Sequence, residues 1–304
     1  MKVILGTGMA GLMLGYYHPD AILIGKEIKG QINSKFNLGP RVIQCDDDTL
    51  ELVQSLNGGW GIGGVRIGFE RNEKVHAKSD DNFKREYSLI TRNTTKVEPS
   101  FLSGGRNQFP VIINLLDPGK SFEILSEYLL STIRERKQTI INNSVENINL
   151  DTKEIFLSNE ETILYDSLYN TIPLNIFNNF LEKPIFNPEV FELGRKHFYK
   201  CEFKSQKEKF LSEGYDYIYS VDKEYTRKTY MDDYIVYETK HKLPKSKQSI
   251  QGNKILDSAN LNIQIINQLN FKKFKDVEFV GRFAQWYHGI LTNDVIRRAK
   301  QLNG

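Results

Sequence analysis

Gly6, Gly8 and Gly11, in the run Gly6-Thr7-Gly8-Met9-Ala10-Gly11, are the residues of this 304-residue chain whose type and spacing point most directly at chemistry. Each glycine of such a G-x-G-x-x-G run has its own task. Gly6 turns the chain sharply, Gly8 lets the backbone come up against a pyrophosphate, and Gly11 lets a helix pack closely on a strand. Free N–H groups at the helix start then face the phosphates, and the helix dipole adds favourable potential. The chemistry this predicts is binding of a dinucleotide.

For those amides to be bare, a strand must end at Gly6 and a helix must begin beside Gly8. The flanking sequence supplies both. Residues 2–5 are a short apolar run, and Leu12-Met13-Leu14-Gly15-Tyr16-Tyr17 follows the motif. His18-Pro19-Asp20 ends the helix, because Pro19 cannot continue it. Ala21-Ile22-Leu23-Ile24 is then a second buried strand, which closes a β-turn-α-β unit. The acidic residue that usually holds the cofactor ribose is not where that unit would place it: Gly25 stands there, followed by Lys26 and Glu27. Glu27 reads equally as a ribose ligand and as a solvated loop charge, and Lys26 is placed to meet a phosphate. Gln31 is grouped with these cofactor-side candidates.

Other chemistry-bearing types have structural explanations. Asp46-Asp47-Asp48-Thr49 precedes Leu50, Leu52, Val53 and Leu56. Consecutive carboxylates cannot all converge on one ion, whereas an N-capped amphipathic helix with acids at its positive end accounts for them, so no metal is expected. Cys45 and Cys201 belong to no CxxC pair and build no disulfide framework, which predicts a reduced, intracellular setting. Lys240 to Lys247 reads as a basic, solvated turn, because no aromatic residue interrupts it for stacking on bases.

Six glycines crowd residues 57–70 around Trp60, Val65, Ile67 and Phe69, which suits a strand running close to a flat ligand or a neighbouring backbone. Residues 71–106 are polar and are expected as strands and loops of a second lobe. An amphipathic helix is expected from Asp117 or Ser121 through Ile133. Residues 139–172 read as two short antiparallel strands and a buried strand that Pro173 terminates. Residues 217–221, 226–230 and 234–237 read as antiparallel strands with one polar face, and 255–270 as an apolar-periodic helix. Residues 277–282 are expected as strand and turn, and 293–299 as a helix capped by Thr292.

In their order, these segments resemble the FAD-containing flavoenzymes related to UDP-galactopyranose mutase, protoporphyrinogen oxidase and the amine oxidases. VILGTGMAGL is similar to their FAD fingerprint, and NLGPRVIQ to the "GPHIF"-type strand of the mutases. VENINL, KEIFL and YDSLYNTIPL look like their hairpin and "YD-x-L-I-x-T-x-P" strand. EYTRKTYMDDYIVYE resembles a "YTR…E" sheet segment, and VGRFAQWYHGILTNDVIRRA the closing "GR-x-x-x-Y/W … D-x-x-I-x-x-A" motif. The matches span about half of the chain, mostly its cofactor side.

The resemblance implies an α/β fold in two parts. A Rossmann-like FAD-binding domain, a parallel sheet plus a β-hairpin, would take residues 1–56, 117–176 and 253–304. A smaller mixed-sheet substrate domain would take 57–116 and 177–252. By the same resemblance, Gly6, Gly8, Met9, Ala10 and Gly11 cradle the FAD pyrophosphate, and Val145 holds the adenine through its backbone. Thr171 and Pro173 border the cofactor, while Gly281, Arg282, Asn293, Asp294 and Val295 wrap its isoalloxazine and ribityl end. The final helix would aim its positive end at the flavin's N1–C2=O side, where negative charge collects on reduction.

Departures accompany the match. Arg41 stands where the mutases have a histidine close to the flavin. Arg227 matches a position near the substrate phosphates of the mutases, yet a strand arginine paired with Glu238 would read the same. Trp286 and Tyr287 are read equally as an aromatic wall by the flavin and as core. His288 is read as a base near the ring or as a structural histidine. Trp60, Tyr219 and Tyr237 complete the substrate-side candidates, and Arg41, Arg227 and His288 are the catalytic ones.

No acid–base dyad stands out, and hydride removal over a flavin needs a dry cavity more than it needs one. The expected function is that of a FAD-dependent oxidoreductase acting at a C–N or C–C bond of a small or modified substrate. The alternative is a redox-neutral, flavin-dependent mutase acting on a nucleotide sugar. The "GPR" and "YTR" matches favour it, and the missing histidine and short substrate lobe count against it. A FAD-bound structural protein is the third reading. A net charge of +3, with 26% charged and 39% hydrophobic residues, excludes a polyanion-coating tail and a disordered acidic chain. No run approaches the ~18 apolar residues of a membrane-spanning helix. A cytoplasmic enzyme with a small-molecule partner, no membrane and no indicated nucleic acid is therefore expected, with its oligomeric state open.

Overall fold

Alternation of side chains along the first strand sets the layers. In β1 (Lys2–Leu5) Ile4 points to one core, and Val3 and Leu5 point to another. The computed structural model describes residues 1–28, 43–56, 59–77, 79–91, 108–117, 120–205, 215–231, 233–267, 269, 274–287 and 290–303. Helix α1 (Met9–Tyr17) and strand β2 (Ile22–Ile24) follow β1 as predicted. Next come β3 (Ile43–Gln44), α2 (Asp47–Ser55), β4 (Trp60–Arg71), β5 (Lys74–His76) and α3 (Asp81–Thr91). After β6 (Gln108–Asn114) the chain forms α4 (Ser121–Glu135), β7 (Ile140–Ile141), β8 (Val145–Asn149), β9 (Glu154–Leu157) and β10 (Thr162–Leu164). Strand β11 (Ser167–Asn170), helix α5 (Leu174–Phe180) and β12 (Leu193–Cys201) lead into β13 (Tyr217–Ser220), β14 (Arg227–Tyr230) and β15 (Ile235–Thr239). The chain ends with β16 (Ser249–Ile250), β17 (Asn253–Ile265), β18 (Val277–Phe279) and α6 (Thr292–Gln301).

Three sheets result. The first is parallel, in the order β18-β11-β1-β2-β7. Its Ile4 face packs on α1, α4 and α6 through Leu12, Leu125, Leu129, Ile133 and Ile296. Its other face packs on the antiparallel β8-β9-β10 sheet and α5 through Ile148, Ile155, Leu157 and Phe177. The large mixed sheet runs β16-β17-β12-β15-β14-β13-β4-β6-β3, with β5 against β4. This is the α/β architecture expected from the sequence. No described helix is long and apolar enough to cross a membrane.

Several expectations are corrected. Residues expected as a helix from 255 form the long strand β17, whose exposure alternates through residues 254–260, as period 2 requires. Its apolar residues also fit a helical spacing, and pairing along β12 decided between the two. Helix α3 occupies part of the 71–106 region expected as strands and loops; only Phe83, Tyr87 and Thr91 form its buried stripe, and Asp80 accepts from the Phe83 amide at 2.6 Å. Strands β13 to β15, expected with one polar face, are covered on both faces. Tyr217 and Tyr219 lie under α3, while Ile218 and Tyr237 are covered by Tyr199, Tyr225 and Tyr230. Thr292 is the first residue of α6 rather than its cap, and Ser121 begins α4 while its hydroxyl accepts from the Asn114 amide. The 139–172 segment also holds a further strand, β10.

Candidate functional site

Because the first sheet is parallel, the carboxyl ends of its strands open on one edge. Gly6, Gly25, Thr171 and Val280-Gly281 follow β1, β2, β11 and β18 there. The chain passes from β1 through α1 to β2 on one side, while β11 lies on the other. A crevice outside the strand ends at such a switch point is where open α/β sheets bind ligands.

The three glycines have separable environments. Gly6 has φ +104°, and a Cβ there would lie 2.4 Å from Thr171 Oγ1. At Gly11 a Cβ would sit 1.9 Å from the Gly6 carbonyl oxygen, so only glycine lets α1 approach the turn this closely. At Gly8 a Cβ would meet nothing within 4 Å among the described residues, which leaves the space over the start of α1 open to them. No side chain caps α1, and no acid stands in its first turn. Its first amides are thus left to a ligand or water.

The carboxyl-terminal segment closes on the same turn. Gly281, with φ +101°, would place a Cβ 3.2 Å from that of Ala10, beside Met9 in the first turn of α1. The Thr171 hydroxyl donates to the Leu5 carbonyl at 2.6 Å, and Val280 N–H to Asn170 at 2.9 Å. Pro173 stands at the start of α5, where Leu174 N–H donates to Phe283 at 2.9 Å. Arg282 is partly buried and donates Nε–H to the Ile290 carbonyl at 3.2 Å. Burial pulls its pKa below the usual arginine value, and no described carboxylate forms a salt bridge with it.

Gly25 explains the missing ribose acid. A Cβ there would lie 2.3 Å from Thr7 Oγ1, which itself donates to the Glu27 carbonyl at 2.6 Å. Lys26 and Glu27 are exposed beyond that contact. Val145 opens β8 opposite Leu157, half-buried. Asn293 donates to Asp46 Oδ2 at 2.9 Å, Asp294 accepts from the Leu291 amide at 2.9 Å, and Val295 is in the core with Ile4 and Val280.

The substrate-side candidates are not all together. Tyr219, Arg227 and Glu238 lie side by side on three neighbouring strands. Arg227 Nη2 stands 3.0 Å from Glu238 Oε2, the pairing left open from the sequence, and its guanidinium lies 5.4 Å from the centre of the Tyr217 ring. Lys196, which sequence reasoning missed, reaches the other oxygen of Glu238 at 2.9 Å. Only the strand assignment of β12 makes it visible, as a lysine on a buried position. Burial pushes the Tyr219 phenol above its ordinary pKa. Tyr237 is on the opposite face, where its hydroxyl meets Asn253 Nδ2 at 2.6 Å.

Trp286 is fully buried, with its indole N–H directed at Asn267 Oδ1 (3.3 Å) and its ring edge-on to Phe191 at 4.9 Å; it takes the core position. Tyr287 is exposed. Trp60 is half-buried and edge-on to Tyr128 at 6.4 Å, and its indole N–H is buried without an acceptor among the described residues. Gln31, Arg41 and His288 lie outside the described residues. Among the described residues no group of three His, Cys, Asp or Glu side chains converges to hold a metal ion.

No family model matches the chain, and no curated protein matches it in sequence. In structure it is similar to a protein from Pyrococcus furiosus, with TM-score 0.66 and 11% identity over 100% of this chain and 98% of that one. It is similar to reduced UDP-galactopyranose mutase at TM-score 0.65 and 9% identity, over 99% of this chain and 92% of that one. It is also similar to putrescine oxidase bound to putrescine, at TM-score 0.60 and 8% identity over 99% and 97%. The chain has the fold these proteins share.

Proposed function

We propose that the chain binds FAD along the edge formed by Gly6, Thr171 and Gly281, and that it is a FAD-dependent oxidoreductase. The carrying observation is that the glycine turn and the segment after β18 meet at one crevice, with open space over Gly8 and a partly buried guanidinium at Arg282 that no described carboxylate offsets. A diphosphate needs close backbone approach and positive potential, and the residues present supply both. Bound FAD supplies a hydride acceptor.

The chain's own residues bind and orient it. Gly6, Gly8, Met9, Ala10 and Gly11 present the amides, Thr171 and Pro173 border the crevice, and Gly281 and Arg282 close it. Lys26, Glu27 and Val145 are assigned to the adenosine end, and Asn293, Asp294 and Val295 to the support of α6 at the flavin end. The unit built on the first sheet holds the cofactor, and the unit built on the large sheet, with Trp60, Tyr219 and Arg227, contacts a small or modified substrate oxidised at C–N or C–C. A redox-neutral mutase acting on a nucleotide sugar is the second reading, favoured by the buried Arg227 Nε–H that has no acceptor among the described residues. The two-cysteine composition suits a reducing, cytoplasmic setting.

Purified protein should be yellow and should release FAD on denaturation. Protein that stays colourless and takes up no FAD would overturn the assignment. Gly8→Val should lose flavin yet fold with the thermal stability of the flavin-free parent protein, because its side chain projects into space that no described residue fills. Anaerobic bleaching of the flavin by an amine or related compound supports the oxidoreductase. Bleaching only by dithionite, with activity on a nucleotide sugar afterwards, supports the mutase.

A further inference from the structure

A cavity of about 530 Å³ opens against the large sheet, between the end of α3, the start of β12 and the turn after β15. Its walls divide by chemistry. Phe191, Leu193 and Ile266 supply an apolar side, and Arg195, Lys196 and Lys240 a cationic one. Glu192 is the one carboxylate among the described residues that line it.

The cationic side continues beneath the cavity floor. Lys196 is 7% exposed, and its ammonium lies 2.9 Å from a Glu238 oxygen. The other oxygen of Glu238 is 3.0 Å from Arg227, so one buried carboxylate answers two buried cations. The phenols of Tyr87, Tyr217 and Tyr219 also face this cluster, and burial keeps them protonated and uncharged. The Tyr87 hydroxyl has no hydrogen-bond partner among the described residues. A surplus positive charge in a poorly hydrated place is costly, and an anion brought beside it lowers that cost. At the mouth, Arg195 and Lys240 are exposed and add to the same field.

From this we infer that the cavity is a binding site for an amphipathic anion: a carboxylate or phosphate held by Arg195, Lys196 and Lys240, carried on an apolar body that lies along Phe191, Leu193 and Ile266. Phe191 also touches Trp286, so the apolar wall of the cavity abuts the segment that follows Gly281-Arg282. The cavity and its charges exist whether or not the chain holds a flavin, and the inference does not depend on one.

Calorimetric titration of the full chain at constant ionic strength tests it, with octanoate, phenyl phosphate and octylammonium as probes and flavin content recorded in every sample. At least one anion should bind at one site per chain, and octylammonium should not. Octanoate alone assigns the site to carboxylates, phenyl phosphate alone to phosphates, and either result supports the site. The double variant Arg195→Gln/Lys240→Gln changes only exposed residues and should fold normally while binding the anion about tenfold more weakly, as expected for lost charged contacts. Gly8→Val, altered at the dinucleotide crevice, should bind it as the parent chain does. The inference is overturned if neither anion binds, if octylammonium binds as well, if the double variant keeps full affinity, or if Gly8→Val abolishes binding.

Discussion

Gly8 and Gly11 are three residues apart and are glycine for opposite reasons. Gly11 is enforced by protein, through the Gly6 carbonyl against it, whereas beyond its chain neighbours no described residue comes within 4 Å of where a Gly8 Cβ would stand. His18 shows a different residue-level constraint. It is fully buried at the end of α1 with its ring 4.9 Å from that of Tyr169. Burial first, and the Lys2 ammonium second, push its pKa below the ordinary 6.5, against smaller opposing effects of Asp20 and the Ala299 backbone. The folded chain therefore disfavours the proton that the unfolded chain accepts. Stability from this group is present above pH 6.5 and is lost as pH falls below it, with a slope of up to about 1.4 kcal/mol per pH unit. Denaturant titrations between pH 8 and pH 5 should show the loss, and His18→Gln should flatten it. An equal slope in the variant would exclude His18 as its source.

At the scale of elements, α2 and α6 are joined through one side chain. Asp46 caps α2 by accepting from the Thr49 amide at 2.8 Å, and its other oxygen takes Asn293 at 2.9 Å and Arg297 at 2.8 Å. Burial pushes its pKa up, and those hydrogen bonds outweigh it and hold the carboxyl low. Lys300 adds contacts to Asp48 at 3.0 Å and Glu51 at 2.6 Å. Asp46→Ala should cost about 1–2 kcal/mol, as loss of a helix cap does. Asp46→Asn keeps a capping oxygen and should cost less, since the exposed ion pair to Arg297 is worth under about 1 kcal/mol. Equal losses for the two variants in chemical denaturation would place the effect in the ion pair rather than the cap. The cap was legible in the Asp-Asp-Asp-Thr run because its partner is three residues away. The link to α6 was not, because Asn293 and Arg297 lie 247 and 251 positions further along the chain.

For the whole molecule, the proposed cofactor would bridge strand ends that are separate in sequence, those of β1, β11 and β18. A ligand bound only by the folded arrangement stabilises it by about 2.7 kcal/mol at a hundredfold excess over its Kd. Protein stripped of FAD should therefore melt at a lower temperature than reconstituted protein, by differential scanning calorimetry. Flavin bound at full occupancy with no change in melting temperature would mean that the unfolded chain holds it equally well, and that the folded crevice between these strands is not what binds it. The first sheet gathers the glycine turn, Thr171 and Gly281 to one edge. The large sheet gathers Tyr219, Arg227 and Glu238 from three neighbouring strands, and Lys196 from a fourth.

What the amino-acid order alone determined is local: the β1-turn-α1-β2 unit, the glycine bend, the acids that start α2, and the strand stopped near Pro173. Each depends on residues within a few positions of one another, where propensity, steric limits and caps act directly. Tertiary structure decided the rest. It made β17 a strand through β12, turned Gly25 into a necessity through Thr7, and sent Trp286 into the core beside Phe191. It also brought Lys196 and Arg227 to one carboxylate. In every such case the deciding atom belongs to a distant residue, and burial of both faces of a sheet removes the polar–apolar contrast by which a single sequence reveals which way a side chain points.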